Sequence, residues 1–500
     1  MKNALSVVWL APLCAALLSA RLADRARARL VALAGAGVAF AVAVGLFVVG
    51  VGSGFASIEL VAAPVVAGFQ YHVGVDGLSW VLLPVTAALA FGALLAAPRA
   101  DLDGRAAARV LVTDAGLLGC LVSLDLGLLT LFWVAALVPV ALSVRRGKDR
   151  VLAAVIDLAV GGSTALLVAA TVALGVHGAR AGLVAPLDLA AHAALAEAHP
   201  APTWVGVLVL LAALLRMGVF PLHAWVPLAV ERGPVHLVVV AVLTPIGSFL
   251  LARLALPLFP EVVVRAAPLL LGLGVVTALY GALLAVGQHD LRRLLGFVLV
   301  SLSGFVLAGI ASLNEPSVAG SLLQAAAVSV ACSGLVLLAA AIEARAATVD
   351  MRRLGGIVRQ APFMASLFLV FALAAVGFPG TVLFVSEDLL VQGLLQRHAA
   401  VAATLLVVTA VNGVTLVRAY KRTFLGPSTR HAADLRGFED LLPRERWVAV
   451  TVLVTLLAGG FAAAPLLAVR RGVLSVLRPA PSDASHEPPA APSPPEQPEP

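Results

Sequence analysis

An all-α, polytopic membrane protein is the fold class this sequence predicts, and three observations predict it. Of its 500 residues 61% are hydrophobic and only 12% charged, at a mean hydropathy of +1.03. A soluble chain carries about 25% charged residues. The apolar residues gather into runs of about 20, the length that crosses a bilayer as helix. The basic residues gather in alternate gaps between runs, which hold most of the 34 Lys and Arg, as membrane topology signals do.

The first run, near 4–20, has the length of a signal-peptide core. The cluster RLADRARAR follows that run instead of preceding it, so the run predicts a retained helix. Runs near 30–52 and 77–97 come next. Those near 110–124 and 126–144 have little but Asp125 between them. Then come 151–176, 204–225, 235–256, 266–287, 294–313, 318–342, 363–386, 400–419 and 447–469, about fourteen in all by the length criterion. With the N-terminus outside, the basic loops 21–29, 98–109, 145–150, 226–234, 288–293, 343–362 and 420–446 all fall inside. Both termini are then expected on the outer, periplasmic side. Arg470 and Arg471 sit against this rule. The last stretch, PAPSDASHEPPAAPSPPEQPEP, has nine prolines in 22 residues and predicts a disordered tail.

Several functions are argued against. Cys14, Cys120 and Cys332 lie in apolar runs without a C-x-x-C, too few for a zinc or iron–sulfur site. No strand leads into G-x-G-x-x-G and no phosphate-binding loop is present, so no dinucleotide site is expected. Any redox cofactor is expected in other subunits. The pI near 10.0 comes from scattered loop residues, with no basic stripe or stacking platform, so nucleic acid is not an expected partner.

An ionisable side chain at mid-membrane costs at least ~2.5–3.5 kcal/mol on the insertion scale, so it calls for a partner or a function. The candidates are Arg216, His223, His236, Asp157, Glu387 and Asp388. Asp114 is expected at the membrane interface with no special role. Two of the runs are interrupted, at VFPLH around Pro221 and at GFPGT around Pro379 and Gly380, and each interruption has a charged residue nearby. Such paired interruptions point to an ion site, because a broken helix frees backbone groups for side chains and water. The plainer alternatives are a proline kink for packing, histidines bridging helices, and Glu387 at a helix end in outer-side water.

YHVGVDGLSW (71–80), LVSLDLGLLTLFWVAALVPVAL (121–142), MGVFPLHAWVP (217–227), LALPLFPE (254–261), ALYGALLAVGQHDLRRLL (278–295), VGFPGTVLFVSEDLL (376–390) and YKRTFLGP (420–427) follow in order. Together they resemble the M-type, antiporter-like subunit of proton-pumping NADH–quinone oxidoreductases (respiratory complex I). The resemblance implies fourteen helices, inverted five-helix repeats at helices 4–8 and 9–13, and breaks in helices 7 and 12. The corresponding segments are 1–109, 110–256, 257–425, 426–470 and the tail 471–500. It also implies a row of titratable groups carrying protons in a bacterial plasma membrane. NADH, FMN, iron–sulfur clusters and quinone would be bound by partner subunits.

Against that pattern this sequence has Val134 where the family's helix 5 glutamate follows Phe132-Trp133. Arg216 stands for the helix 7 lysine, Thr244-Pro245 for the helix 8 lysine, and Leu302 for a histidine in helix 10. VPLAV (226–230) replaces the usual LPDAH. Glu387 alone keeps a central titratable group. Valine cannot titrate, and arginine keeps its proton in proteins. Asp157 is the expected counter-charge of Arg216. The leading expectation is a membrane-arm subunit with a degenerate proton path. The alternatives are an ion-translocating subunit of a cation/proton antiporter, a hydrogenase or another complex I-like transporter, and a scaffold of the same fold that does not pump.

Overall fold

Aspartates set where many of the helices begin. Asp24, Asp103, Asp125, Asp149 and Asp290 each sit at an N-cap and accept from a backbone N–H of the first turn, which satisfies donors that the helix itself cannot. The computed structural model describes residues 2–66, 69–98, 102–147, 149–196, 198–425 and 438–461. The expected tail and residues 470–471 lie outside them.

The chain begins with α1 (Lys2–Arg21) and α2 (Arg25–Gly52). An antiparallel hairpin follows, β1 (Ile58–Val66) against β2 (Phe69–Val75), with Ile58 opposite Val75 and Val61 opposite His72. Next are α3 (Ser79–Ala96), α4 (Gly104–Val122), α5 (Leu126–Arg145) and α6 (Arg150–Arg180), then a short helix at Leu189–Leu195. The seventh span is in two pieces, α7a (Thr203–Met217) and α7b (Trp225–Arg232). The eighth, α8, is also interrupted: a first segment Val235–Ala241, a second from Ile246, a π-helical turn Leu251–Ala255, and an end at Leu258. Then come α9 (Pro260–Gly287), α10 (Leu291–Ala311) and α11 (Glu315–Ala346). The twelfth span is again split, into α12a (Pro362–Ala374) and α12b (Val382–Arg397). Finally α13 (Ala399–Tyr420, with a π turn to Leu425) and α14 (Pro443–Phe461) complete the bundle.

Among the described residues ten helices are long and apolar enough to cross a membrane. The protein is therefore a helical, multi-pass membrane protein. The two split spans are each too short for that test in single pieces. Two expectations need correction. Asp103 starts α4 six residues before the expected 110, which carries Asp114 into the helix interior. The span expected to end at 386 continues to Arg397, so Glu387 lies in the second turn of α12b and not at a helix end. The hairpin and the break in α8 were not expected at all.

Burial separates centre from rim. Within their most apolar windows α8, α10 and α11 are 78%, 94% and 83% buried, against 28% for α6 and 33% for α13. Leu158, Val172, Leu283 and Val414 on the rim are exposed, as suits lipid tails or neighbouring subunits. Small residues bring the central helices close. A side chain at Gly274, Gly281 or Gly304 would collide with backbone across the α9–α10 seam, the packing that membrane helices use where hydrophobic attraction is weak.

Candidate functional site

The first break runs from Gly218 to Ala224, between α7a and α7b. Gly218 has φ +67°, which a glycine adopts without strain. The Phe220–Pro221 peptide is cis. Arg216, in the last turn of α7a, is 7% exposed. Its guanidinium lies 5.0 Å from the centre of the Trp225 ring and donates to the carbonyl oxygen of Ala241.

That carbonyl is free for a definite reason. Residue 245, four positions on, is the usual donor to Ala241, and Pro245 has no N–H. The helix consequently stops at Ala241. Other side chains satisfy the same break: Thr244 donates to Val240 O at 2.6 Å and Ser329 of α11 to Leu243 O at 2.5 Å. Arg216 therefore faces the carbonyl end of a half-helix, the end that carries partial negative charge.

Asp157 does not serve Arg216. It pairs with Arg145 at 2.8 Å, because it lies two turns into α6 beside the last residue of α5. No ion pair to Arg216 occurs among the described residues. His223 lies within the break, half-buried, with its ring 4.8 Å edge-on from Tyr280 and 5.7 Å from Phe220. His236 opens α8 elsewhere, in a cavity of 360 Å³ also lined by Arg292, Glu343 and Glu445. There Arg292 pairs with Glu343 at 2.9 Å and caps the end of α7b through Val230 O and Gly233 O.

The second break runs from Ala375 to Thr381, with Gly377 at φ +69° and Pro379 and Gly380 at its turn. Thr381 caps α12b. Glu387 is 8% exposed and accepts through Oε1 from the Thr409 hydroxyl of α13. A Cβ on residue 377 would come within 2.5 Å of its Oε2, so glycine at 377 makes room for the carboxylate. Asp388 does not share this site. It points outward, exposed, and accepts from Gln392 at 2.7 Å; neighbours on a helix diverge by about 100°.

Between the two breaks runs a set of polar contacts that a search for charges missed. Phe220 N in the first break donates to Thr277 Oγ1 of α9 at 3.1 Å. The next residue, Ala278, accepts from Ser301 of α10 at 2.9 Å, and Ser301 accepts from Asn412 of α13 at 2.9 Å. One turn back on α13 stands Thr409, the partner of Glu387. The spacing of Thr409 and Asn412, three apart in an apolar helix, was the available signal.

At the hairpin end His72 Nδ1 donates to Asp188 at 2.5 Å, and its Nε2 lies 3.6 Å from Glu59. The hydrogen bond to the Asp188 carboxylate raises the His72 pKa. Burial would push the Asp188 carboxyl up, yet the bond to His72 holds it below the ordinary carboxylate value.

In sequence, residues 123–413 match the NADH:quinone oxidoreductase/Mrp antiporter transmembrane family. The chain is 32% identical to NAD(P)H-quinone oxidoreductase chain 4 1 of a Picosynechococcus species, over 79% of this chain and 75% of that one. It is 32% identical to NADH-quinone oxidoreductase subunit 13 of Thermus thermophilus, over 79% and 83%. Among solved structures, a chain of respiratory complex I from Thermus thermophilus with bound NADH superposes with a TM-score of 0.83 at 27% identity, covering 95% of this chain and 100% of that one. A chain of the Mrp complex from a Dietzia species gives 0.82 at 21% identity, covering 96% and 98%, a likeness of fold.

Proposed function

Because the chain belongs to the NADH:quinone oxidoreductase/Mrp antiporter transmembrane family, we propose that it is a membrane-arm subunit of an NADH–quinone oxidoreductase-type complex. In this role it takes part in proton translocation coupled to electron transfer from NADH to quinone. NADH, FMN, iron–sulfur clusters and quinone belong to its partner subunits. The complex sits in a bacterial plasma membrane, with both termini of this chain on the outer side. Helices α4–α8 and α9–α13 are the two inverted repeats, between the N-terminal segment 1–109 and the last helix.

The observation that carries this reading is the pair of broken spans, each with a buried ionisable group beside the break, Arg216 and Glu387. Three hydrogen-bonded sets lie between the breaks: Phe220 with Thr277, Ala278 with Ser301 and Asn412, and Thr409 with Glu387. Glu387 is the proton-carrying group of this site, because a carboxyl can gain and lose a proton where Arg216 cannot. His223, His236, Asp157 and Asp388 are secondary to it, and Pro221, Pro379 and Gly380 make the breaks. A tag on this chain tests the assembly. Gentle solubilisation is expected to bring down NADH-dependent quinone reductase activity, and capture of the chain without that activity would contradict the reading.

One observation favours a second reading, a scaffold of this fold that does not pump. Arg216 is committed to Ala241 and pairs with no carboxylate among the described residues. A scaffold would leave the proton yield unchanged when Glu387 is neutralised.

A further inference from the structure

Asp114 is fully buried near the middle of α4, and neither carboxylate oxygen has a hydrogen-bond partner among the described residues. A lone carboxylate is not tolerated in such a place; it holds its proton or finds a cation. The elements packed against α4 are α1, α2, α3, α5, β2 and the first segment of α8. Their charged and titratable groups are Lys2, the exposed Cys14 and Arg21 on α1, Arg25, Arg27 and Arg29 on α2, Tyr71 and His72 on β2, Arg145 on α5 and His236 on α8, with Arg105, Arg109 and the buried Cys120 on α4 itself. Arg145 is taken by Asp157 and His72 of β2 by Asp188. α3 has none.

Three more buried polar residues on these and adjoining elements lack side-chain partners among the described residues: Thr113 beside Asp114, Thr86 in α3, and Gln324, at both amide atoms, in α11. α3 packs against α4, α11 and the first segment of α8. Counted from Gly104, Asp114 lies about 15 Å along its helix. Counted from Val235, the break in α8 lies about 10–15 Å along, so the two are at similar depth. Arg216 holds a positive charge at that break.

We infer that Asp114 is a proton-binding site, the titratable group of a polar seam between α3, α4, α8 and α11 that loads and releases a proton at the depth of the Arg216 charge. The proposal rests on the translocation reading above. It supplies a carboxyl group to the first half of the chain, as Glu387 does to the second. Thr86, Thr113 and Gln324 offer hydrogen bonds to water along the seam without titrating themselves.

The test uses the assembled complex in inverted membrane vesicles, as wild type, Asp114→Asn, Glu387→Gln and the double variant. Proton uptake per NADH oxidised is expected to fall in Asp114→Asn as far as in Glu387→Gln, and no further in the double variant, because two sites on one path are not additive. Loss with Glu387→Gln but wild-type uptake with Asp114→Asn would overturn this inference alone. Wild-type uptake in both would overturn the translocation reading as well. Should Asp114→Asn fail to assemble, dicyclohexylcarbodiimide decides on the wild type, since it modifies buried protonated carboxyls. Labelling at Asp114 that declines as pH rises is expected, and no labelling at any pH would overturn the proposal.

Discussion

The guanidinium of Arg216 occupies the carbonyl of Ala241, the one that Pro245 leaves without a donor. Arg216 of α7a and Pro245 of α8 thus compensate each other, the one supplying the donor that the other lacks. The positive charge is retained at the first break, but it is balanced by a helix end and not by an acid. The first break is fixed where the second, with Glu387, can titrate.

The Arg216–Pro245 relationship predicts a thermodynamic coupling. Pro245→Ala restores an N–H that can reach Ala241, so Arg216 is no longer its only donor. Thermal unfolding of the purified protein is expected to show Arg216→Gln costing about 1 kcal/mol less in the Pro245→Ala background than alone. Strict additivity would show that the two sites are unrelated.

Gly377 makes a sharper local prediction. An alanine there meets both a positive φ and the Glu387 carboxylate, and is expected to destabilise by about 1–3 kcal/mol. Gly413→Ala, with Val376 Cγ2 at 3.9 Å as its nearest contact, is the matched control and is expected to be near neutral.

Asn412→Leu cuts the polar connection between the breaks. Interhelical hydrogen bonds in membranes average about 0.6 kcal/mol, so assembly is expected to survive. Proton uptake per electron is expected to fall all the same. Equal uptake in mutant and wild type would reduce Asn412 to a packing residue.

The His72–Asp188 bond predicts a pH window for the hairpin. His72 has a raised pKa, so its contribution is complete below the ordinary histidine value and is lost as pH climbs through the raised one. Asp188 has a lowered pKa, so its contribution is present above the ordinary carboxylate value and is lost as pH falls through the lowered one. Hydrogen exchange in 69–75, corrected for intrinsic rates, is expected to be slowest between these limits. His72→Phe should abolish the alkaline limb.

Length and hydropathy made the spans legible, and proline with glycine marked the breaks at 221 and 379–380, because backbone rules act locally. Partnerships were not legible. Asp157 is adjacent in sequence to nothing that reveals Arg145 as its partner, and Arg216 chose a carbonyl that no charge count registers. Asp114 was misplaced because the cap at Asp103 lengthens α4 beyond its apolar run. Thr277, Ser301, Thr409 and Asn412 were passed over because uncharged polar residues do not register where only ionisable groups are sought. The hairpin hid within an apolar stretch.

The decisive experiment is proton uptake into inverted vesicles during NADH oxidation, wild type against Glu387→Gln. The glutamine keeps an oxygen for Thr409 but cannot release a proton. With assembly verified on a native gel, the account predicts lower uptake per electron in the variant. Unchanged uptake in a fully assembled complex would contradict it and leave the chain as a scaffold.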